Sequence, residues 1–219
     1  MSLKQKVIAI DGPSASGKGT VASRVAEALG FLYLDSGALY RLTALYAQKQ
    51  NVAWTDEDAV STLAETLPAQ FEGSVVLLNG EDVSKQIRTE AIGMGASAVA
   101  QLPKVRTALL QRQRDFLTEK GLVADGRDIG SVIFPDAALK IFLTASANVR
   151  AQRRAKQLGI PCEGVAFERI LSDIEARDEA DRRRPVAPLK QLPDALLLDT
   201  DNLSIEEAVK KVLDWYRKV

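Results

Sequence analysis

The chemistry that the sequence offers most clearly lies in one loop of small residues that contains a single lysine. Directly after the apolar run Val7–Ile10 comes a segment that matches the pattern G-x4-G-K: Gly12, Pro13, Ser14, Ala15, Ser16, Gly17, Lys18, Gly19 and Thr20. Small residues let the main chain curl so that several N–H groups point at one phosphate, and the positive end of a following helix adds to the attraction. The Lys18 ammonium can reach the outer phosphates. The loop is therefore predicted to bind a nucleoside triphosphate.

This loop departs from its commonest form at the residue after the lysine. Gly19 stands there instead of a serine or threonine, so the usual hydroxyl for magnesium is missing. Either Thr20 supplies that hydroxyl, or water and phosphate hold the ion. A GTPase would also need a D-x-x-G and an N-K-x-D motif, and the sequence contains neither. This argues against a GTP-dependent switch protein.

Arginines follow several predicted strands. Arg41 comes after the run Phe31–Leu34, and Arg127 with Asp128 comes after Leu122–Ala124. Because open α/β sheets bind ligands at the carboxyl ends of their strands, Arg41 and Arg127 are predicted to reach a ligand. More arginines lie on later helical segments: Arg150, Arg153 and Arg154 at i, i+3, i+4, then Arg177, Arg182, Arg183 and Arg184. For Arg182 and Arg183 the alternative is a solvated helix surface.

The chain contains no histidine. This excludes Ser-His-Asp and Cys-His catalysis and every histidine metal site. An acceptor that is already a phosphate is an anionic nucleophile and needs no general base, so arginines that position it and compensate charge suffice. A hydroxyl acceptor would need a base, for which Asp11 and Asp35 are the candidates.

The elements that must position these residues alternate between strands and helices. Five apolar runs are predicted to form a parallel sheet covered on both faces: Val7–Ile10, Phe31–Leu34, Leu122–Ala124, Lys140–Leu143 and Ala195–Leu198. Helices are predicted over about 18–29, over 37–50, and from the N-cap Ser204 to about 218. The segment Phe71–Glu81 alternates instead and turns at Asn79-Gly80, which is typical of an antiparallel hairpin. It is assigned to an insertion over about 62–98.

Composition limits the class of protein and its partners. The chain has 219 residues, 46% of them hydrophobic, and its 29 basic residues balance 29 acidic ones. This predicts a globular protein with no general attraction to nucleic acid or membrane. The single cysteine, Cys162, allows no intrachain disulfide and is interpreted as a loop bystander. With no long apolar run or signal-peptide pattern, a cytoplasmic location is expected.

Taken together, the motifs resemble the bacterial cytidylate (CMP) kinase family of P-loop nucleoside monophosphate kinases. The resemblance runs nearly end to end and rests on these segments: GPSASGKGT, DSGALYR, Gly80–Ser84 with Ile87-Arg88, Pro103–Arg106, DGRDIG, FPDA and Arg184–Leu189. It implies an adenylate-kinase-like α/β fold with a five-stranded parallel core in one domain over 1–219. It also implies a CMP-binding insertion over about 62–98 and an arginine-rich lid over about 150–184.

The same resemblance implies the reaction and its residues. The expected reaction is transfer of the γ-phosphoryl group of ATP to CMP or dCMP, with Mg²⁺, by a monomer that has no protein ligand set for a metal. ATP would bind Gly12 to Thr20, and charge compensation would come from Lys18, Arg127, Arg150, Arg154 and Arg184. CMP would bind Ser36, Arg41, Ser97, Arg106, Arg127, Asp128, Arg177, Asp181 and Arg184. Two alternatives are a kinase for another small acceptor and an ATP-binding module without turnover.

The chemistry of cytosine agrees with the residues implied for the base, namely Ser97, Arg106 and Asp128. Cytosine shows an amino donor beside two acceptors, so a carboxylate can accept from the amino group while a guanidinium or hydroxyl donates to the acceptors. Uracil would place an oxygen opposite Asp128. For Ser97 the alternative is a hydrogen bond to its own helix backbone.

Overall fold

The structure is a computed structural model that describes residues 6–73 and 75–219. The main chain packs into two compact units. One comprises the described residues up to Leu34 together with Phe116–Val219, and the other comprises Asp35–Asp115. The boundaries expected for the insertion and the lid stay predictions. Ser74, which belongs to the predicted hairpin, lies outside the described residues.

The elements alternate as the sequence predicts. The strands are β1 Val7–Asp11, β2 Leu32–Asp35, β3 Ala69–Glu72, β4 Val75–Leu78, β5 Glu81–Asp82, β6 Leu122–Gly126, β7 Leu139–Thr144 and β8 Leu196–Asp199. The helices are α1 Lys18–Leu29, α2 Ser36–Lys49, α3 Glu57–Glu65, α4 Glu90–Val99, α5 Pro103–Arg114, α6 Ala147–Leu158, α7 Gly164–Arg183 and α8 Ile205–Tyr216. A short 3₁₀ turn spans Gln86–Arg88 and a π-helical segment spans Ile129–Ile133.

The first unit is built on a five-stranded sheet in the order β2-β6-β1-β7-β8. Strand β1 is central, pairs in parallel with both β6 and β7, and is buried along its whole length. Its last residue, Asp11, lies beside Gly126 of β6 and Phe142 of β7. The segments that follow these strands therefore start at the same edge of the sheet. The predicted five-stranded α/β fold is confirmed.

The edge strand β8 differs from the prediction that the strands are buried on both faces. Leu196 and Leu197 are 42% and 52% exposed, and within β8 only Leu198 is buried. Strand β8 has a single strand neighbour, β7, because it closes the sheet. The apolar run correctly predicted a strand, but its position at the edge could not be inferred from composition.

Helices α1 and α8 pack together and share one apolar core with strands of the sheet. This core includes Ile8 and Ile10 of β1, Val25 of α1 and Val212 of α8. Helix α1 ends at Gly30, whose φ of 66° is the left-handed conformation that glycine adopts at low cost. Helix α8 starts with the predicted N-cap Ser204, which forms a reciprocal capping box with Glu207.

The second unit combines helices α2 to α5 with a small antiparallel sheet of β3, β4 and β5. Between β4 and β5, Asn79 and Gly80 have φ values of 52° and 78°. Two successive positive φ angles define the two-residue turn that Asn-Gly favours, so the hairpin predicted at this dipeptide is confirmed. Across residues 6–73 and 75–219, no helix is long and apolar enough to span a membrane.

Candidate active site

The glycine loop between β1 and α1 has a conformation that its small residues permit. A Cβ on Gly12 would lie 2.0 Å from the carbonyl oxygen of Leu143, so only glycine fits where the main chain of β7 passes. Ala15 and Gly17 have positive φ values of 56° and 87°. Gly17 is the N-cap of α1 and brings no side chain of its own, so the helix N-terminus opens toward the loop. This is the geometry of an anion site at a helix N-terminus.

Internal hydrogen bonds stabilise the loop. The Ser16 hydroxyl and the Lys18 ammonium both donate to the carbonyl oxygen of Pro13, at 3.0 and 3.2 Å. Both side chains are buried, which fixes the lysine against the loop that it is predicted to serve. Thr20 lies on the exposed side of the first turn of α1.

Three arginines from two other segments donate to this loop. Arg127, directly after β6, donates from Nη2 to the Ser14 hydroxyl at 2.8 Å. Arg150 on α6 donates from Nη1 to the Ser14 carbonyl at 2.9 Å, and Arg153 donates from Nη1 to the Ser16 carbonyl at 3.3 Å. The structure therefore brings Arg127 and Arg150, both predicted from the sequence, to the predicted phosphate loop.

Helix α7 supplies carboxylates that hold two of these arginines. Asp181 accepts from Arg127 Nε at 2.6 Å, and Asp178 accepts from both terminal nitrogens of Arg150. Burial alone would lower the pKa of Arg127, but the carboxylates of Asp181, Asp125 and Asp178 together outweigh it and leave that pKa raised. The α7 carboxylates thus hold the Arg127 and Arg150 guanidinium groups in fixed orientations.

The three consecutive arginines at the end of α7 separate into one buried and two exposed side chains. Arg184 is 7% exposed, and its Nη2 lies 3.4 Å from Oδ1 of Asp128. Arg182 and Arg183 are exposed, and Arg183 pairs with Glu179 on its own helix. Arg184 is therefore the member of this run that lies beside another predicted site residue.

Two further predicted arginines of the first unit are half-buried. Arg177 lies on α7, where burial lowers the pKa of its guanidinium, and Arg154 lies on α6. Both belong to the helices that carry Arg150 and Asp181, and their roles stay predictions.

The carboxylates named as candidate bases cap the main chain. Asp35 is the N-cap of α2 and accepts from the N–H of Ala38 at 3.0 Å. Asp11 accepts from the N–H groups of Ile129 and Gly130, each at 2.8 Å. Burial raises the pKa of the Asp11 carboxyl to about 6, against an ordinary value of 3.8. These contacts explain both carboxylates without a role in proton transfer.

In the second unit, Arg41 and Ser97 lie near the same turn of α4. Arg41 donates from Nη1 to the carbonyl of Ile87 at 2.9 Å, and a Cβ on Gly93 would lie 3.2 Å from that nitrogen. The Ser97 hydroxyl donates to the Gly93 carbonyl at 3.2 Å. The alternative noted for Ser97, a hydrogen bond within its own helix, is present in the structure.

The two other predicted residues of this unit are buried. Arg106 is 7% exposed, and its guanidinium lies over the ring of Tyr40 at 5.6 Å from the centroid. This is cation–π distance, so the ring holds the guanidinium plane. The Ser36 hydroxyl donates to Oε1 of Gln113 at 2.8 Å.

The comparisons with known proteins bear on the whole chain. Residues 8–218 match the family model described as cytidylate kinase. The chain belongs to the cytidylate kinase family. Membership confirms the predicted class, a P-loop kinase that phosphorylates CMP or dCMP with ATP.

Curated members of the cytidylate kinase family include close relatives of this chain. A cytidylate kinase of Neisseria meningitidis serogroup C is 81% identical over 99% of both chains. One from Neisseria gonorrhoeae is 79% identical, again over 99% of both chains. One from Chromobacterium violaceum is 59% identical over 97% of this chain and 96% of the relative.

Three features of this candidate site are not predicted by the sequence. The sequence predicts Arg153 only as part of a cationic helix face, and it predicts neither the role of Asp178 nor a partner for the Ser14 hydroxyl. The spacing of Arg150 and Arg153 at i, i+3 could have indicated that both reach the same loop. The i, i+3 spacing of Asp178 and Asp181 could likewise have indicated paired partners for two arginines.

Proposed function

We propose that this chain transfers the γ-phosphoryl group of ATP to the 5′-phosphate of CMP or dCMP, giving ADP and CDP or dCDP, without a general base. The observation that carries this mechanism is the double contact on Ser14, whose hydroxyl accepts from Arg127 and whose carbonyl accepts from Arg150. Two guanidinium groups therefore lie at the loop proposed for the donor phosphates. Their charge stabilises the transition state, in which negative charge spreads over the transferred group.

The donor phosphates are proposed to bind the loop from Gly12 to Thr20. Its curled main chain and the N-terminus of α1 offer N–H groups, and Lys18 offers a point charge for the outer phosphates. Because Lys18 is buried against the loop, its ammonium loses little freedom when ATP binds.

The adenine of ATP is proposed to occupy a groove of about 530 Å³ on α6. Arg153 lines this groove and also donates to Ser16 of the glycine loop, so the groove adjoins the phosphate site. Its walls include Val149 and Ile160, and a guanidinium plane can stack on a planar base. Arg153→Ala should raise the KM for ATP and leave that for CMP unchanged.

The residues proposed to bind CMP, the phosphoryl acceptor, come from both units and are given for each unit by itself. In the first unit Arg127 and Arg184 bind the phosphate of CMP, Arg177 and Asp181 lie near its sugar and phosphate, and Asp128 accepts from the cytosine amino group. In the second unit the proposed residues are Ser36, Arg41, Ser97 and Arg106. Arg184 and Asp128 support the proposal because both side chains are buried and lie next to each other. Recognition of a base and a phosphate needs donors and acceptors that are held in place in this way.

No proton acceptor is needed in this mechanism. The nucleophile is a phosphate oxygen that already carries negative charge, and the chain has no histidine. Both oxygens of the buried Asp11 carboxylate accept hydrogen bonds from main-chain N–H groups, those of Ile129 and Gly130. Charge compensation and alignment of the two phosphates therefore account for catalysis.

Magnesium is proposed as the companion of ATP. Among the residues that the structure describes, no cluster of three or more Asp, Glu, Cys or His side chains could hold a metal. The loop adjoins one carboxylate oxygen, because Oδ1 of Asp125 lies 3.8 Å from where a Cβ on Gly19 would be, and Thr20 of the loop adds a hydroxyl. This set fits Mg²⁺, which keeps several waters and takes other ligands from phosphates. Asp125 and Thr20 would hold it, and it would neutralise phosphate charge.

We further propose that the protein is a cytoplasmic monomer that binds small molecules and no nucleic acid. Its support is the single cysteine and the balance of 29 basic and 29 acidic residues. Light scattering after size exclusion would report the mass of the species in solution, and a dimer would refute the monomer.

The acceptor is tested by a coupled assay of ADP release with CMP, dCMP, UMP, AMP and GMP. CMP and dCMP should give the highest kcat/KM. A preference for AMP or GMP would overturn the proposed function.

The role of Asp128 is tested by Asp128→Asn, because an amide can turn either its oxygen or its nitrogen toward the base. The preference for CMP over UMP should fall by about 10- to 100-fold. Asp194→Asn is the matched control, since Asp194 is 62% exposed and pairs with Lys140 at the surface. An unchanged preference in Asp128→Asn would refute the role of Asp128.

A further inference from the structure

Asp11 is a buried carboxylate at the end of the central strand β1. It is 7% exposed, and its neighbours in the sheet are Gly126 and Phe142. Oδ1 accepts from the N–H of Ile129 and Oδ2 accepts from the N–H of Gly130. Each carboxylate oxygen thus holds one main-chain amide of the segment that follows Asp128.

These two amides are the first of the π-helical segment Ile129–Ile133, and helical segments leave their first N–H groups without partners of their own. An aspartate at the N-cap position normally supplies that partner. Here the N-cap residue is Asp128, yet the acceptor is Asp11, more than a hundred residues earlier in the chain. The Asp128 side chain is directed toward Arg184 instead.

Because Asp11, and not Asp128, accepts from these two amides, the main chain next to Asp128 is held by a residue of strand β1. Two hydrogen bonds at 2.8 Å fix the main chain directly after this residue, at φ −148° and ψ 25° for Asp128 itself. A side chain on a fixed main chain and 3% exposed has few orientations open to it. The direction of the Asp128 carboxylate is therefore set in part by Asp11.

The charge of the Asp11 carboxylate carries a stability cost that a neutral acceptor at the same place would avoid. Burial raises the pKa of the Asp11 carboxyl, the charge of Asp128 raises it further, and the two N–H groups and Lys18 only partly offset this. A carboxylate that is difficult to ionise in the folded protein destabilises the fold at neutral pH. Such groups cluster where function requires them.

We infer that Asp11 is a positioning residue for base recognition, which holds the segment after Asp128 so that this carboxylate meets the cytosine amino group. The inference rests on the proposed function, in which Asp128 accepts from that amino group. Asp11 itself touches neither substrate in this role.

The experiment compares Asp11→Asn with wild type in steady-state kinetics for CMP, UMP and ATP. Asparagine keeps the size of the side chain, but its nitrogen would face one of the two N–H groups, so one hydrogen bond is lost. We expect the ratio of kcat/KM for CMP over UMP to fall by about 10-fold, which corresponds to the loss of one hydrogen bond to a charged group. The KM for ATP should stay within about 2-fold.

Three results would overturn the inference. An unchanged ratio with a lowered melting temperature would make Asp11 purely structural. An equal rise in the KM for ATP and CMP would mean that Asp11 acts on the adjoining glycine loop. An unchanged ratio in Asp11→Asn beside a collapsed ratio in Asp128→Asn would leave the proposed function intact and remove the inference alone.

Asp128→Asn and Asp11→Glu complete the comparison of CMP with UMP. If Asp128→Asn itself left the ratio unchanged, the proposed role of Asp128 would fall first and the inference with it. If Asp11→Asn does not fold, Asp11→Glu replaces it, because glutamate keeps both acceptors on a longer side chain. The displaced segment should then give the same fall in the CMP to UMP ratio with a retained KM for ATP, and an unchanged ratio would count against the inference.

Discussion

The buried ion pair of Arg150 and Asp178 allows the loss of folding free energy on removal of one partner to be predicted. Their side chains are 4% and 5% exposed, and Asp178 accepts from both terminal nitrogens of the guanidinium. Removing one partner of such a pair leaves an uncompensated buried charge, which typically costs about 3–5 kcal/mol. Arg150 keeps two carbonyl acceptors, on Ala145 and Ser14, so the lower end of that range applies.

Asp178→Asn should therefore lower the free energy of unfolding by about 3 kcal/mol. For a protein of this length, that corresponds to a melting temperature about 6–12 °C lower. Urea unfolding followed by circular dichroism gives the first quantity, and a thermal scan gives the second. The kcat should fall as well, because the Arg150 guanidinium, which contacts the glycine loop, is no longer held by the Asp178 carboxylate of α7.

The control lies one residue along the same helix. Glu179 pairs with Arg183, but these side chains are 48% and 82% exposed, so water screens the pair. Glu179→Gln should cost less than about 0.5 kcal/mol. If the two variants lost the same stability, within about 0.5 kcal/mol, burial would not be the reason for the effect.

A double variant separates stability from catalysis. Arg150→Met combined with Asp178→Leu replaces the pair by apolar side chains, which often preserves or raises stability. We expect it to be more stable than Asp178→Asn alone and still to lack most activity, since the Arg150 guanidinium no longer lies beside the Ser14 carbonyl. A double variant with wild-type kcat would refute the role proposed for Arg150.

Three other predictions follow from single residues. Between about pH 4 and about pH 7, wild type should lose about 2 kcal/mol of stability relative to Asp11→Asn in parallel urea titrations. The folded carboxyl, with a pKa of about 6 against 3.8, binds its proton more tightly than the unfolded one, so stability falls as pH rises. Lys18→Ala should lower kcat at least about 100-fold with an unchanged circular dichroism spectrum, and near-normal turnover would refute its role. Ser204→Ala should cost about 1 kcal/mol in urea unfolding because it removes the cap of α8, whereas Ser204→Asp should keep most of that stability.

The sequence predicted well those features that depend on neighbours along the chain. The glycine loop, the strand before it and the helix after it are local patterns, and so are the hairpin turn at Asn79-Gly80 and the cap at Ser204. Each is decided by a few adjacent residues whose φ angles or hydrogen bonds have one favourable solution. The exposure of Leu196 and Leu197 was not predicted, because it depends on which strand lies at the edge.

Contacts between distant segments account for what the sequence could not show. Arg127 meets Asp181 and Arg150 meets Asp178 across dozens of residues, and no local rule selects these partners. Helix α7 brings one carboxylate to each of two arginines at the glycine loop, Arg127 and Arg150, so charge is balanced locally as well as over the whole chain. These carboxylates occupy donors that an incoming phosphate would also seek. In the proposed mechanism, binding of the anionic substrates would exchange one set of ion pairs for another, and the carboxylates would keep the arginines oriented before the phosphates arrive.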